Sequence, residues 1–164
     1  MIEITGCNYL NPAHREAIAL LINAYIDDEM GGGNLLSQKE QQRMIEDLSS
    51  HPKAIVLLAR DAGIFVGILT AFENFSTFTA QPMINIHDVF VLKDCRGKSI
   101  GRQLMNAIIA EAEKRKCSRV TLEVRKDNIK AQNLYQSLGF GEAEHGMFYW
   151  RKCLTNTVED VKNL

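Results

Sequence analysis

The sequence predicts an α/β or α+β sheet protein with a crossover helix, on three observations. Apolar residues fall at helical spacing in some segments and alternate or run continuously in others. A two-strand hairpin is signalled around Asp61-Ala62-Gly63. The second half then reads strand–helix–strand–helix–strand.

Taken in order, the first helix starts at Asn11, a capping residue, with Pro12 at the first helical position and Ile18, Leu21, Ile22 and Tyr25 on one face. It runs into Asp27-Asp28-Glu29-Met30-Gly31-Gly32-Gly33, where three glycines leave the backbone free. Ser37 and Glu40 make a capping box for a second helix with Met44, Ile45 and Leu48 as its apolar side. Residues 54–59 read as a buried strand and residues 64–72 as its hairpin partner, with 74–81 a loop or strand continuation. Residues 83–92 form a third strand, whose alternation puts Ile84, Ile86, Asp88 and Phe90 on one face and Asn85, His87, Val89 and Val91 on the other. A helix over about 100–116 turns Leu104, Met105, Ile108 and Ala112 inward. A strand over 119–124, a helix over 128–138 ended by Gly139, and a final strand over 147–154 complete the chain.

At 164 residues, with no linker, repeat or low-complexity tract, the sequence predicts one domain over 1–154 and a C-terminal tail over 155–164. Nineteen Lys and Arg against twenty Asp and Glu give a net charge of −1, which argues against nucleic-acid binding. The four cysteines and four histidines are scattered without metal-ligand spacing, so no metal is expected. No segment approaches the roughly 18 apolar residues of a membrane span, and no secretory leader is read. The expectation is a cytoplasmic protein without membrane contact.

Two segments carry chemistry. In Val89-Phe90-Val91-Leu92-Lys93-Asp94-Cys95-Arg96-Gly97-Lys98-Ser99-Ile100-Gly101-Arg102 a strand enters a Gly-containing loop that opens a helix. Such a loop aims backbone N–H groups and the positive end of a helix dipole at one point, which suits a pyrophosphate, with Arg96 and Lys98 as added cations. About 30 residues on comes Asn128-Ile129-Lys130-Ala131-Gln132-Asn133-Leu134-Tyr135-Gln136-Ser137-Leu138-Gly139-Phe140.

Together these segments resemble the cofactor-binding core of the GNAT superfamily of N-acetyltransferases, R/Q-x-x-G-x-G/A followed by N-x-x-A-x-x-L-Y-x-x-x-G-F. The match falls on Arg96 and Gly101, then on Asn128, Ala131, Leu134, Tyr135, Gly139 and Phe140. It covers roughly residues 83–154. Ser99 replaces the middle glycine. If that position is left-handed, Ser costs about 1–2 kcal/mol; if right-handed, it costs little and its hydroxyl could touch phosphate.

The resemblance implies a mixed, mostly antiparallel sheet flanked by helices, with two strands splayed near Val91 and Val124 to admit acetyl-CoA. Main-chain groups of Phe90 and Val91 would pair with the pantetheine arm. Arg96, Gly97, Lys98, Ser99, Ile100 and Gly101 would hold the pyrophosphate, Asn128 would bond the cofactor chain, and Tyr135 would face the thioester sulfur. The reaction implied is direct attack by a primary amine, of a small molecule or of a peptide. Such an amine, with a pKa near about 10, is only about 0.1% neutral at pH 7 and must lose a proton first. Tyr135 is the candidate donor to the leaving thiolate. Glu123, in Leu122-Glu123-Val124-Arg125, is similar to the proposed base of bacterial enzymes that acetylate a ribosomal protein's N-terminal alanine. Asp88, His87 and Glu73 are further candidates for that base. Many members of the superfamily are dimers, so a homodimer is an expectation of the resemblance alone. A non-catalytic acyl-CoA sensor would keep the 96–101 loop and be indifferent to Tyr135.

The helix connection lines the acceptor pocket in this superfamily. Here Asp27, Asp28 and Glu29 beside the three glycines suggest an acidic lip for a cationic amine. Lys114-Arg115-Lys116 complements the dipole at a helix C-terminus.

Overall fold

A computed structural model describes residues 1–142, 145, 147–152 and 154. Its packing separates two compact units, Met1–Asn128 and Ile129–Leu164.

The first unit is a five-stranded sheet in chain order, β1 (Ile2–Gly6), β2 (Ala54–Asp61), β3 (Ile64–Ser76), β4 (Gln81–Val91) and β5 (Val120–Leu122). Neighbours are antiparallel except β4 and β5, which are parallel. Strand β1 was not read from the sequence, although Ile2 and Ile4 alternate with Glu3 and Thr5. Five residues at the start of the chain are too few for periodicity to stand out, and β1 exists because β2 offers it an edge. The β2–β3 hairpin closes on Ala62-Gly63, with φ of 48° and 88°. Positive φ at both central residues gives a turn whose twist matches the strands.

Helices α1 (Pro12–Ile26) and α2 (Gln38–Ser50) cover one face. Asn11 caps α1 through Ala13 N–H, and the Ser37–Glu40 capping box of α2 is formed in both directions. Ile18, Leu21, Leu58 and Ile68 are wholly buried between these helices and the sheet. Helix α3 (Ile100–Lys114) is the crossover from β4 to β5 and packs Leu104, Met105 and Ile108 on the other face. Gly67 of β3 admits it closely. A Cβ there would lie 3.1 Å from Phe90 C=O and 3.3 Å from both the Ile100 and Leu104 side chains.

The alternation expected along β4 is broken in its middle. Thr70 pairs with Asp88 but Ala71 pairs with Ile86, so His87 is the extra residue of a β-bulge. Paired residues share a face, so Ile86 goes with Ala71 toward α3 while Asp88 goes with Thr70 toward α1. Ile84 and Ile86 are therefore not on the Asp88–Phe90 face as the uninterrupted pattern predicted. A single sequence gives no sign of where a bulge falls.

In the second unit, α4 (Ile129–Gln136) ends in a turn in which Phe140 N–H reaches Tyr135 C=O at 3.0 Å and Gly139 takes a φ of 88°. The strand expected over 147–154 is not formed by its described residues, 147–152 and 154. Phe148 and Trp150, of one parity, and Tyr149, of the other, are all exposed, so neither face of a strand would be buried there. Residue 153 and the tail expected over 155–164 lie outside the described residues. No helix of the described residues is long and apolar enough to cross a membrane.

Candidate active site

Strands β4 and β5 pair only at Ile84↔Val120, Asn85↔Thr121 and Ile86↔Leu122. Strand β4 then continues through Val91 while β5 stops, so from the bulge onward the β5 side of β4 has no strand beside it among the described residues. Leu92 N–H donates to Val66 C=O at 2.9 Å. By the alternation of a ladder, Phe90 also turns its main chain to β3, whereas Val89 and Val91 turn theirs to the gap. Val91 C=O accepts there from Arg96 Nε at 2.9 Å. Of the two residues expected to meet the cofactor arm, Val91 is the one whose peptide groups face the gap.

The loop after β4 is a concave run of main chain. Gly97 has a φ of 84° and Ser99 a φ of 60° and ψ of 17°, with Lys98 between them and Ile100 opening α3. Alternating left-handed residues turn successive N–H groups inward, and the first N–H groups of a helix have no partner within it. The geometry suits an anionic group such as a pyrophosphate, and it answers the question Ser99 posed. The position is left-handed, Ser occupies it at about 1–2 kcal/mol relative to glycine, and its hydroxyl makes no capping hydrogen bond.

Both expected cations of this loop are held by carboxylates. Arg96 Nη2 lies 2.6 Å from Asp28 Oδ2 and its guanidinium sits 5.6 Å from the centre of the Phe90 ring. Lys98 Nζ lies 3.3 Å from Asp61 Oδ2. Burial works against ionisation of Asp28, but hydrogen bonds from Arg96 and from Met30 N–H outweigh it and hold the carboxyl below its usual range.

On the α1 side of the bulge lies a cavity of about 570 Å³. Helix α1 and the following turn supply Ile22, Tyr25, Ile26 and Met30, and α2 supplies Met44 and Leu48. The sheet supplies Thr70 and Phe72 from β3 and both His87 and Asp88 from the bulge. Without the bulge, two consecutive strand residues would point to opposite faces. Thr70 Oγ1 donates to Asp88 Oδ2. Tyr25 stacks on Phe90 with centroids 5.4 Å apart, and its hydroxyl is raised in pKa by burial and then by Asp88 and Asp28. It is therefore a neutral donor at ordinary pH.

The segment between α1 and α2 is ordered by its own contacts. Asn23 bonds Leu36 in both directions, at 3.1 and 2.9 Å. Gly31 passes so close to the end of α1 that a Cβ would lie 1.9 Å from Tyr25 C=O. Met30, Gly31 and Gly32 line the cavity, whereas Asp27, Asp28 and Glu29 do not. The acidic lip read from sequence thus presents peptide and Met30 to the cavity, with Asp28 turned to Arg96.

Glu123, Glu73 and Asn128 do not line this cavity, and Tyr135 belongs to the second unit. Glu123 is exposed just beyond β5 and does not line the cavity. Glu73 is taken by Lys53 and by Arg115, the latter at 2.8 Å, and these hydrogen bonds keep its carboxyl below the usual range. Asn128 closes a turn onto Arg125 C=O at 3.1 Å, and Tyr135 lies on α4 with its ring 6.1 Å from that of Phe140. What sequence reading missed was Thr70, Tyr25 as a wall residue and Phe72, which carry no motif. Among the described residues no group of three or more His, Cys, Asp or Glu is placed to hold a metal ion.

Comparison with known proteins bears on this geometry. The model of the "Acetyltransferase (GNAT) family" matches residues 19–140. An uncharacterized N-acetyltransferase, YhfO of Bacillus subtilis (strain 168), is 28% identical over 126 residues, 77% of this chain and 83% of that protein. A [Ribosomal protein bS18]-alanine N-acetyltransferase of Salmonella typhimurium is 34% identical over 79 residues, 46% of this chain and 53% of that protein. The fold matches that of the aminoglycoside N-acetyltransferase AAC(6')-Iy, solved in complex with CoA, at a TM-score of 0.74 with 19% identity, covering 93% of this chain and 96% of that one.

Proposed function

The chain belongs to the acetyltransferase (GNAT) family, whose members use acetyl-CoA, and from that premise we propose that it transfers the acetyl group of acetyl-CoA to the primary amine of a small molecule by direct attack. The observation that carries this reading is the parting of β4 from β5 beyond Ile86↔Leu122 beside the left-handed Gly97–Ser99 loop. An open strand edge and an inward-facing run of N–H groups suit, in turn, an amide-bearing arm and a pyrophosphate.

In this reading the main chain of Gly97, Lys98, Ser99, Ile100 and Gly101 binds the pyrophosphate, and Arg96 and Lys98 exchange their carboxylates for it. Acetyl-CoA supplies an acetyl group already activated as a thioester. Val91 presents its peptide groups to the gap, where its N–H can stabilise oxyanion charge. Asp88, oriented by Thr70, takes the acceptor's proton directly or through water with His87. Glu123 is carried by motif similarity, and its exposure favours Asp88 over it for that role. Tyr135 and Asn128 are assigned by their places in the second motif, Tyr135 as donor to the leaving sulfur and Asn128 as a cofactor contact. The C–N bond forms as the C–S bond breaks. Starting from the ammonium, nitrogen gives up two protons, one before attack and one as the amide forms; the thiolate takes up one, and one is released to solvent.

Calorimetric titration with acetyl-CoA, followed by thiol-release assays over polyamines, aminoglycosides, amino acids and peptides, tests the reading. Binding with amine-dependent release that falls in Tyr135→Phe is the expected result. Binding with no release from any acceptor would point instead to an acyl-CoA sensor. A preference for peptides would move the acceptor to a protein N-terminus.

A further inference from the structure

Resting on the acetyltransferase reading, we propose that the acceptor is a monoamine carried on an apolar body, an arylalkyl or branched alkyl amine, and not a polycation. The cavity beside the β4 bulge has an uneven wall. Ile22, Met44, Leu48 and Phe72 make it largely apolar, Tyr25 adds a ring with a neutral hydroxyl, His87 adds an imidazole, and among the described residues Asp88 is the one carboxylate lining it.

Asp28 and Glu73 are engaged elsewhere. Asp28 faces Arg96, and Glu73 is held by Lys53 and Arg115. A single ammonium therefore finds one anionic partner at Asp88, which Thr70 fixes in place. A further ammonium or hydroxyl group that meets Leu48, Met44 or Phe72 finds no hydrogen bond there, and His87 and the Gly31-Gly32 main chain supply no second anion for a polycation. An apolar body gains there instead. Burying one aromatic or branched side chain favours binding about tenfold or more. A volume of about 570 Å³ lies within the usual range of a small-molecule site.

The test is a thiol-release comparison of phenethylamine and isoamylamine with spermidine, kanamycin and an alanine-initiated peptide, all with acetyl-CoA. The apolar monoamines are expected to lead in kcat/KM by about tenfold or more, and to bind calorimetrically in the presence of coenzyme A. Met44→Glu, which puts a second carboxylate on the wall, is expected to raise the preference for a long aliphatic diamine over its monoamine about tenfold. Phe72→Ala on the opposite wall is expected to lower phenethylamine's advantage by a similar factor. Equal or greater turnover of the polyamine, the aminoglycoside or the peptide overturns the inference. So does a ratio unmoved by both variants when each melts as the wild type does. Tight acetyl-CoA binding without turnover of any apolar amine overturns this inference alone. Failure to bind acetyl-CoA overturns the functional reading beneath it.

Discussion

The two sides of β4 are built from different material. On the β5 side the candidate cofactor region is backbone: the peptide groups of Val89 and Val91, the left-handed Gly97 and Ser99, and the start of α3. On the α1 side the candidate acceptor cavity is made mostly of side chains drawn from residues 22–48, 70–72 and 87–88, with the main chain of Gly31 and Gly32. A backbone site constrains local dihedrals and so leaves glycines at fixed spacing. A side-chain site constrains only what meets in space. The Asp28–Arg96 ion pair joins the two regions, linking the turn after α1 to the loop after β4.

Substitutions should therefore sort by side. The largest effect is expected from Asp88→Asn, which should lower kcat/KM about 100-fold while leaving the acetyl-CoA Kd within about twofold. A comparable loss in Glu123→Gln with an unaffected Asp88→Asn would reassign the base. Arg96→Gln should do the reverse, weakening acetyl-CoA binding about tenfold or more and reducing its sensitivity to salt, since a charged hydrogen bond is lost. Titration at two ionic strengths measures both.

Smaller effects should sharpen the same division. Gly31→Ala must displace either the turn or the end of α1, because its Cβ would meet Tyr25 C=O. The acceptor KM should rise about tenfold with little change in acetyl-CoA affinity. Ser99→Gly should raise Tm by up to about 2–4 °C, as about 1–2 kcal/mol of left-handed strain is relieved and the freer unfolded chain takes back about 0.4–1 kcal/mol. Kinetics in the cavity should not change.

The ion pair between the regions gives the smallest effect and a pH signature. The Asp28 carboxyl is lowered in the folded protein from its ordinary value of 3.8. Its stabilisation is therefore complete above that value and is lost as pH falls through the lower, folded one. Acid unfolding of Asp28→Asn should lack this component, and chemical denaturation across that window would show it.

The same contrast explains what could be read in advance. The tight turn at 97–99 and the helix closed by Gly139 were legible because tight backbone geometry leaves glycines at fixed places, and so were the capping residues Asn11 and Ser37. The handedness at Ser99 was not, because serine is compatible with both answers until φ is known. The cavity was hidden because the bulge at His87 reverses the facing of β4 without altering its composition. The acidic run at 27–29 misled as a lip, since charge along the chain does not say which carboxylate an arginine 68 residues away will take. The final strand failed for a related reason. The run Phe148-Tyr149-Trp150 proposes a strand, but only a partner can make one.

The central claim is most directly tested by incubating the protein with acetyl-CoA and an amine and identifying the products by mass. The account predicts an N-acetylated amine and free coenzyme A in equal amounts, with neither formed when the amine is left out. Coenzyme A released at the same rate without an acceptor, or no acetylated amine from any acceptor class despite bound acetyl-CoA, would contradict it.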